Sequence, residues 1–200
     1  MNHFLPIAFF SLFSSLVAPV AGAEALPPNA ASFYGYTTPI AIGGDFELLG
    51  AGPAGEHAVS LQQFRGKYVL LLFGFTHCPE ICPTTLARAA RVRRALSHKD
   101  DLVIVFVTLD PERDSPQSLS SFVTAFDKDI VGLSGSAEQI KKVADRYRVS
   151  YTKQATGKSY TIDHSAYIYL IDREGKTAFL YPDHEPASHI AQDIESLMKK

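Results

Sequence analysis

The chain has only two cysteines, Cys78 and Cys82, and they stand four positions apart in Phe75-Thr-His-Cys-Pro-Glu-Ile-Cys-Pro83. Side chains at that spacing share one face of a helix. If a helix begins near Cys78, both sulfurs meet at its first turn, where unpaired backbone N–H groups and the helix dipole favour an anion and depress a thiol pKa. A thiolate ligates soft metal ions and attacks disulfides, so both chemistries are open. A purely structural disulfide is a third role, but closing so short a loop removes only about 2 kcal/mol of chain entropy. Redox pairs of thioredoxin-like proteins usually enclose two residues rather than the three found here. Two thiolates alone bind a metal linearly, so a further donor would add selectivity.

That donor has to be sought among seven histidines: His3, His57, His77, His98, His164, His184 and His189. His164 lies in Thr161-Ile-Asp-His-Ser165, just before a strand of an expected hairpin. In a thioredoxin-like layout that loop abuts the start of the cysteine-bearing helix, which puts its imidazole within reach of both sulfurs. The plainer reading is a hydrogen-bonded loop histidine beside the core. His77 adjoins Cys78, and at an extended strand end neighbouring side chains point to opposite sides, so His77 should face away. Methionine is no alternative, being present only as Met1 and Met198. Two thiolates and an imidazole suit copper in either oxidation state. Zinc is the competing metal, although structural zinc usually takes four protein ligands and catalytic zinc leaves one position to water. There is no His-Glu-x-x-His segment and no arrangement suggesting a serine hydrolase. A peroxidase of the peroxiredoxin type would need threonine three positions before the attacking cysteine, whereas Thr76 precedes Cys78 by two.

The elements that must position these groups follow from the apolar pattern. Residues 67–75 are apolar on both faces and rich in strand formers, as a central strand covered on both sides should be. A helix is expected from Thr84 to about Leu96, with Leu86, Ala89, Ala90 and Leu96 inward and Arg88, Arg91 and Arg94 toward solvent. Residues 102–109 read as a second buried strand, parallel to the first. Ser115-Pro116 opens another helix, and Ser136 with Gln139 has capping-box spacing for a third. An antiparallel hairpin over 165–181 turns at Gly175, and a last helix buries Ile190, Ile194, Leu197 and Met198. Phe46, Leu48 and 59–64 suggest short strands or turns before Gly66. The fold class is therefore α/β: a thioredoxin-like fold with a central mixed sheet flanked by helices and an N-terminal extension.

Composition bounds the rest. The 200 residues are 46% hydrophobic and 20% charged, with a formal net charge of -2, which suits one domain with a substantial core. That balance gives no basic field for phosphate backbones, so nucleic acid is not an expected partner. No Lys or Arg precedes Arg65, and a mostly apolar run from Phe4 to Val20 leads to Ala21-Gly22-Ala23. Residues 1–23 thus read as a signal peptide, or as an uncleaved N-terminal anchor if that run is retained. Residues 24–44, rich in Ala, Pro, Gly and Thr, read as a flexible arm, and 45–200 as the metal-binding domain. An exported protein keeps its cysteines where disulfides can form, so their redox state becomes a functional matter.

The residues resemble the Sco (SenC) family of copper-binding assembly proteins. The matching segments, in family order, are Gly66-Lys-Tyr-Val-Leu70, Phe73-Gly-Phe-Thr76, Cys-Pro-x-x-Cys-Pro over 78–83, Leu109-Asp-Pro-Glu-Arg-Asp114 and Asp163-His-Ser165. The resemblance implies copper, as Cu(I) or Cu(II), held by Cys78, Cys82 and His164, and delivery to the dinuclear copper centre of cytochrome c oxidase during assembly. Its implied partners are the copper-acceptor subunit of that oxidase and an upstream copper donor or thiol reductant. The implied location is the periplasm, with the protein soluble or tethered to the inner membrane. An alternative role is thiol–disulfide oxidoreductase, with Cys78 and Cys82 as a redox pair reducing the acceptor's cysteines. Asp110, Pro111 and Asp114 belong to a family signature expected to shape the loop, and Asp163 is expected to orient His164.

Overall fold

The computed structural model describes residues 33–37, 41–52 and 54–199. The expected signal or anchor and much of the arm lie outside the described residues. Among the described residues, no helix is long and apolar enough to cross a membrane.

A hairpin of β1 (Glu47–Gly52) and β2 (Gly55–Ser60) precedes the central strand β3 (Tyr68–Gly74). Every residue of β3 is buried. It runs parallel to β4 (Leu102–Thr108) and antiparallel to β8 (Tyr167–Ile171), in a five-stranded mixed sheet of order β5-β4-β3-β8-β9. The outer strands are β5 (Val131–Leu133) and β9 (Thr177–Pro182).

The two-residue period of β3 divides the core into two layers. Tyr68, Leu70 and Leu72 face α1 (Ile81–Ala95), α2 (Pro116–Thr124) and α4 (Ala187–Met198) through Leu86, Leu119, Ile190 and Ile194. Val69, Leu71 and Phe73 face Phe46 and Leu48 of the N-terminal hairpin region and Ile140 and Val143 of α3 (Ala137–Arg146). Each fully buried leucine of β3 contributes about 2 kcal/mol of transfer free energy. A continuous apolar run is thus the pattern that coverage on both faces requires.

Helix starts match their local chemistry. Ser115 caps α2 with Pro116 at its first turn, and Ser136 and Gln139 form the complete capping box of α3. Helix α1 begins three residues earlier than Thr84, directly after Glu80, which makes no side-chain cap. Its buried positions include Cys82, Leu86, Ala89 and Ala90.

One hairpin is unanticipated: β6 (Tyr151–Thr156) and β7 (Ser159–His164) pair antiparallel. Its strands are mostly exposed, with Ile162 alone buried, so no apolar alternation announces them. Gly157 turns the hairpin at φ 64°, a conformation open to glycine. His164 is consequently the last residue of a strand rather than part of a loop.

Residues 33–37 fall in the expected arm yet are fastened to the domain. Phe33 packs on Phe179, and Tyr36 exchanges backbone hydrogen bonds with Leu180 on the edge strand β9. The Asp193 carboxylate accepts from the N–H groups of Tyr34 and Gly35 and from the Tyr181 hydroxyl.

Candidate functional site

Strand β3 delivers the chain to the thiols. Leu109 N–H donates to the Gly74 carbonyl at 2.7 Å, holding the strand end beside the β4 exit. Cys78 precedes the N-cap Glu80, and Cys82 lies in the first turn of α1, 2% exposed. Both are free thiols. A β-carbon on Gly74 would fall 2.6 Å from the Cys82 sulfur, so glycine is what admits that sulfur against the strand.

The two sulfurs are electrostatically unlike. The Cys82 backbone N–H points at the Cys78 sulfur, 3.4 Å away. Cys78 is lowered to about 5, first by the Cys82 thiol donating to it and then by backbone N–H groups of Cys82, Glu80 and Ile81 at the helix start. The Cys82 thiol is pushed up, by that same hydrogen bond and by burial. Cys78 is therefore a half-buried thiolate at neutral pH, and Cys82 keeps its proton until a metal or a disulfide displaces it.

His164 comes from the opposite side. Its Nε2 stands 4.0 Å from the Cys82 sulfur. Its Nδ1 lies 3.1 Å from the Ser165 carbonyl oxygen, which can only accept. Nδ1 thus carries the proton, and Nε2 presents a lone pair to the sulfur. The orienting partner is this carbonyl and not Asp163, whose side chain is exposed. Phe75 meets the imidazole edge-on, with ring centroids 6.3 Å apart.

Cys78 and His164 line one cleft of ≈ 280 Å³ together with Phe75, Glu80, Ile81 and Asp163. An ion with bonds of about 2.3 Å to sulfur and 2.0 Å to nitrogen holds those atoms about 3.6 Å apart at tetrahedral or trigonal angles. The 4.0 Å separation of Cys82 and His164 lies within a few tenths of that span. Among the described residues no three His, Cys, Asp or Glu side chains are already gathered at ligating distance. Closure on an ion would therefore need Cys78 or His164 to move inward.

His77 faces away as expected, exposed and 3.7 Å from an Asp114 carboxylate oxygen. Sequence reasoning missed the part played by Gly74, which entered only as a member of the Phe73-Gly-Phe-Thr76 segment at the strand end. It also missed how the buried Asp110 and Asp114 connect to the site. Asp114 accepts from the Thr76 N–H at 3.0 Å, the Thr76 hydroxyl at 2.5 Å and the Thr108 hydroxyl at 2.6 Å. Asp110 accepts from the Tyr160 hydroxyl at 2.7 Å and is ion-paired with Arg113.

Sheet order, the helix after the central strand and an unequal thiol pair at its start define a thioredoxin-like protein with a reactive dithiol facing an imidazole. The family described as SCO1/SenC matches residues 35–199, and the chain belongs to it. The SCO2-like protein of Rickettsia felis is 38% identical over 156 residues, covering 76% of this chain and 75% of the relative. The structure of Bradyrhizobium japonicum ScoI with copper bound is 38% identical with a TM-score of 0.70, covering 78% of this chain and 99% of that one. BsSco, described as having a disulfide switch and as a member of the Sco family of cytochrome c oxidase assembly proteins, is 25% identical with a TM-score of 0.64. That match covers 82% of this chain and 98% of BsSco.

Proposed function

We propose that this protein is a copper metallochaperone that takes one copper ion on Cys78, Cys82 and His164 and passes it to the dinuclear copper centre of cytochrome c oxidase during assembly. The observation that carries the reading is the approach of the His164 Nε2 lone pair to the Cys82 sulfur beside the Cys78 thiolate. It is supported by the copper held by the Bradyrhizobium relative. Cys78, open to the cleft, is the first donor to meet the ion. Cys82 then loses its proton to bind, and His164 supplies a neutral third donor. Delivery is ligand exchange: acceptor thiolates or imidazoles replace these donors one at a time, and the copper keeps its oxidation state. The acceptor is the copper-binding subunit of the oxidase, and an upstream donor supplies the ion. The protein works outside the cytosol, in the periplasm, soluble or held to the inner membrane by its N-terminus.

The unequal thiols favour a second reading, reduction of the acceptor's disulfide. The Cys78 thiolate attacks one acceptor sulfur, forming a mixed disulfide and releasing the other acceptor sulfur as a thiolate. Cys82 then loses its proton and attacks Cys78, leaving a Cys78–Cys82 disulfide and a fully reduced acceptor. The disulfide switch described for BsSco is consistent with this step.

Copper titration of the reduced protein separates the readings. One tight equivalent with thiolate-to-copper absorption, weakened in His164→Ala and abolished in Cys78→Ser/Cys82→Ser, is expected. Binding indifferent to His164 would sink the three-donor site and leave the reductase reading, which predicts reduction of an oxidised acceptor peptide by wild type and by His164→Ala alike.

A further inference from the structure

Segment 110–114 has no donor atom in the cleft, yet it touches both sides of the site. On one side, the Asp114 carboxylate binds the backbone and hydroxyl of Thr76, two residues before Cys78. The Asp114 carbonyl accepts from the buried Ser134 hydroxyl at 2.7 Å, and its N–H donates to the Asp110 carbonyl at 2.9 Å. Asp114 is completely buried and cannot shift without breaking these bonds.

On the other side stands the hairpin that carries His164. The Arg113 guanidinium stacks on the Tyr160 ring with its carbon 3.8 Å from the centroid, and its Nη1 donates to the Tyr160 carbonyl at 3.0 Å. The Tyr160 hydroxyl donates to Asp110 at 2.7 Å. Lys153, on the other strand of the hairpin, pairs with Glu112 at 2.7 Å and lies over the same ring. Both strands are thereby tied to one turn of chain. Tyr160 and His164 are four residues apart on β7, hence on the same side of the strand and about 13 Å apart along it. Fixing the first sets where the second can stand. The Arg113 guanidinium also pairs with the Asp110 carboxylate, so one side chain joins the 110–114 turn to the hairpin.

We propose that segment 110–114 is a bracket that sets the separation of the thiol pair from His164, with Asp114 holding the cysteine loop and Asp110 and Arg113 holding the hairpin through Tyr160. These are positioning residues, and the inference rests on the reading of Cys78, Cys82 and His164 as metal donors. The bracket keeps the imidazole close to the Cys82 sulfur before an ion arrives, so little ordering remains to be done on binding.

The test is Tyr160→Phe, which deletes one hydroxyl and keeps the ring beneath Arg113. In the metal-free protein, backbone amides of 160–164 are expected to exchange roughly tenfold faster, the scale of one hydrogen bond to a charged group. Copper affinity should fall by a similar factor, while the reduction potential of the Cys78–Cys82 pair stays at the wild-type value. In a His164→Ala background the same substitution should leave copper affinity unchanged. Arg113→Lys, which keeps the charge and loses the planar fork, should behave like Tyr160→Phe. Unchanged exchange in both variants overturns the bracket, and so does an affinity loss of equal size with and without His164. The metal-free exchange reads the bracket alone, whereas the difference between wild type and His164→Ala reads the donor set, so the two failures are distinguishable.

Discussion

The sulfur of Cys82 occupies the space that a side chain on Gly74 would need, since a β-carbon there would lie 2.6 Å from that sulfur and 2.8 Å from the Phe106 ring. Cys82 and Phe106 are themselves buried, so neither can yield cheaply. Gly74→Ala is expected to cost about 2 kcal/mol, typical of overpacking a filled core, and to weaken copper binding by moving Cys82. Urea unfolding and copper titration of the same variant check both effects. Wild-type stability would show that the sulfur does not need this space.

The unequal thiols predict a pH dependence. In the folded, reduced protein the Cys78 pKa is about 5, against an ordinary 9.0. Between those values the unfolded chain binds more protons, so the Cys78 contribution to stability grows as pH rises above about 5 and is lost as pH falls through it. Stability of wild type relative to Cys78→Ser should therefore increase from pH 5 to pH 8 in denaturant titrations, where about three units separate those conditions. Iodoacetamide should label Cys78 at a rate already near its plateau at pH 7, with the buried Cys82 unlabelled. A labelling midpoint near that of a free thiol would contradict the asymmetry.

Arg93, buried on α1, holds Asp127 at 3.4 Å and Asp129 at 3.0 Å, with its Nε donating to the Leu102 carbonyl. Arg93→Ala strands the nearly buried Asp127 carboxylate and should destabilise the fold by about 3 kcal/mol. Arg94, exposed one position on, should cost under about 0.5 kcal/mol when changed to Ala. Thermal unfolding of the two variants side by side gives the comparison, and equal melting temperatures would refute the assigned burial.

Much of this molecule was legible because burial leaves a mark on composition. Strand β3 is apolar throughout because it is covered on both faces, and the serine caps of α2 and α3 are local chemistry that needs no distant partner. The β6–β7 hairpin was not legible, since two exposed strands need no apolar alternation, and what holds them is Arg113, Glu112 and Asp110 from a remote loop. The burial of Arg93 left no mark in the sequence, because two of the three carboxylates paired with it, Asp127 and Asp129, lie more than thirty positions away and only Asp100 is near.

By itself the sequence determined the identity and spacing of the thiols, the strand that precedes them and the helix that follows, all of which depend on residues within a few positions of one another. Only the tertiary structure decided which nitrogen of His164 faces Cys82, that a Ser165 carbonyl rather than Asp163 sets that tautomer, and that Gly74 makes room for the sulfur. Those outcomes depend on strand register and on distances between segments far apart in the chain. Neither is encoded in the local spacing from which a sequence is read.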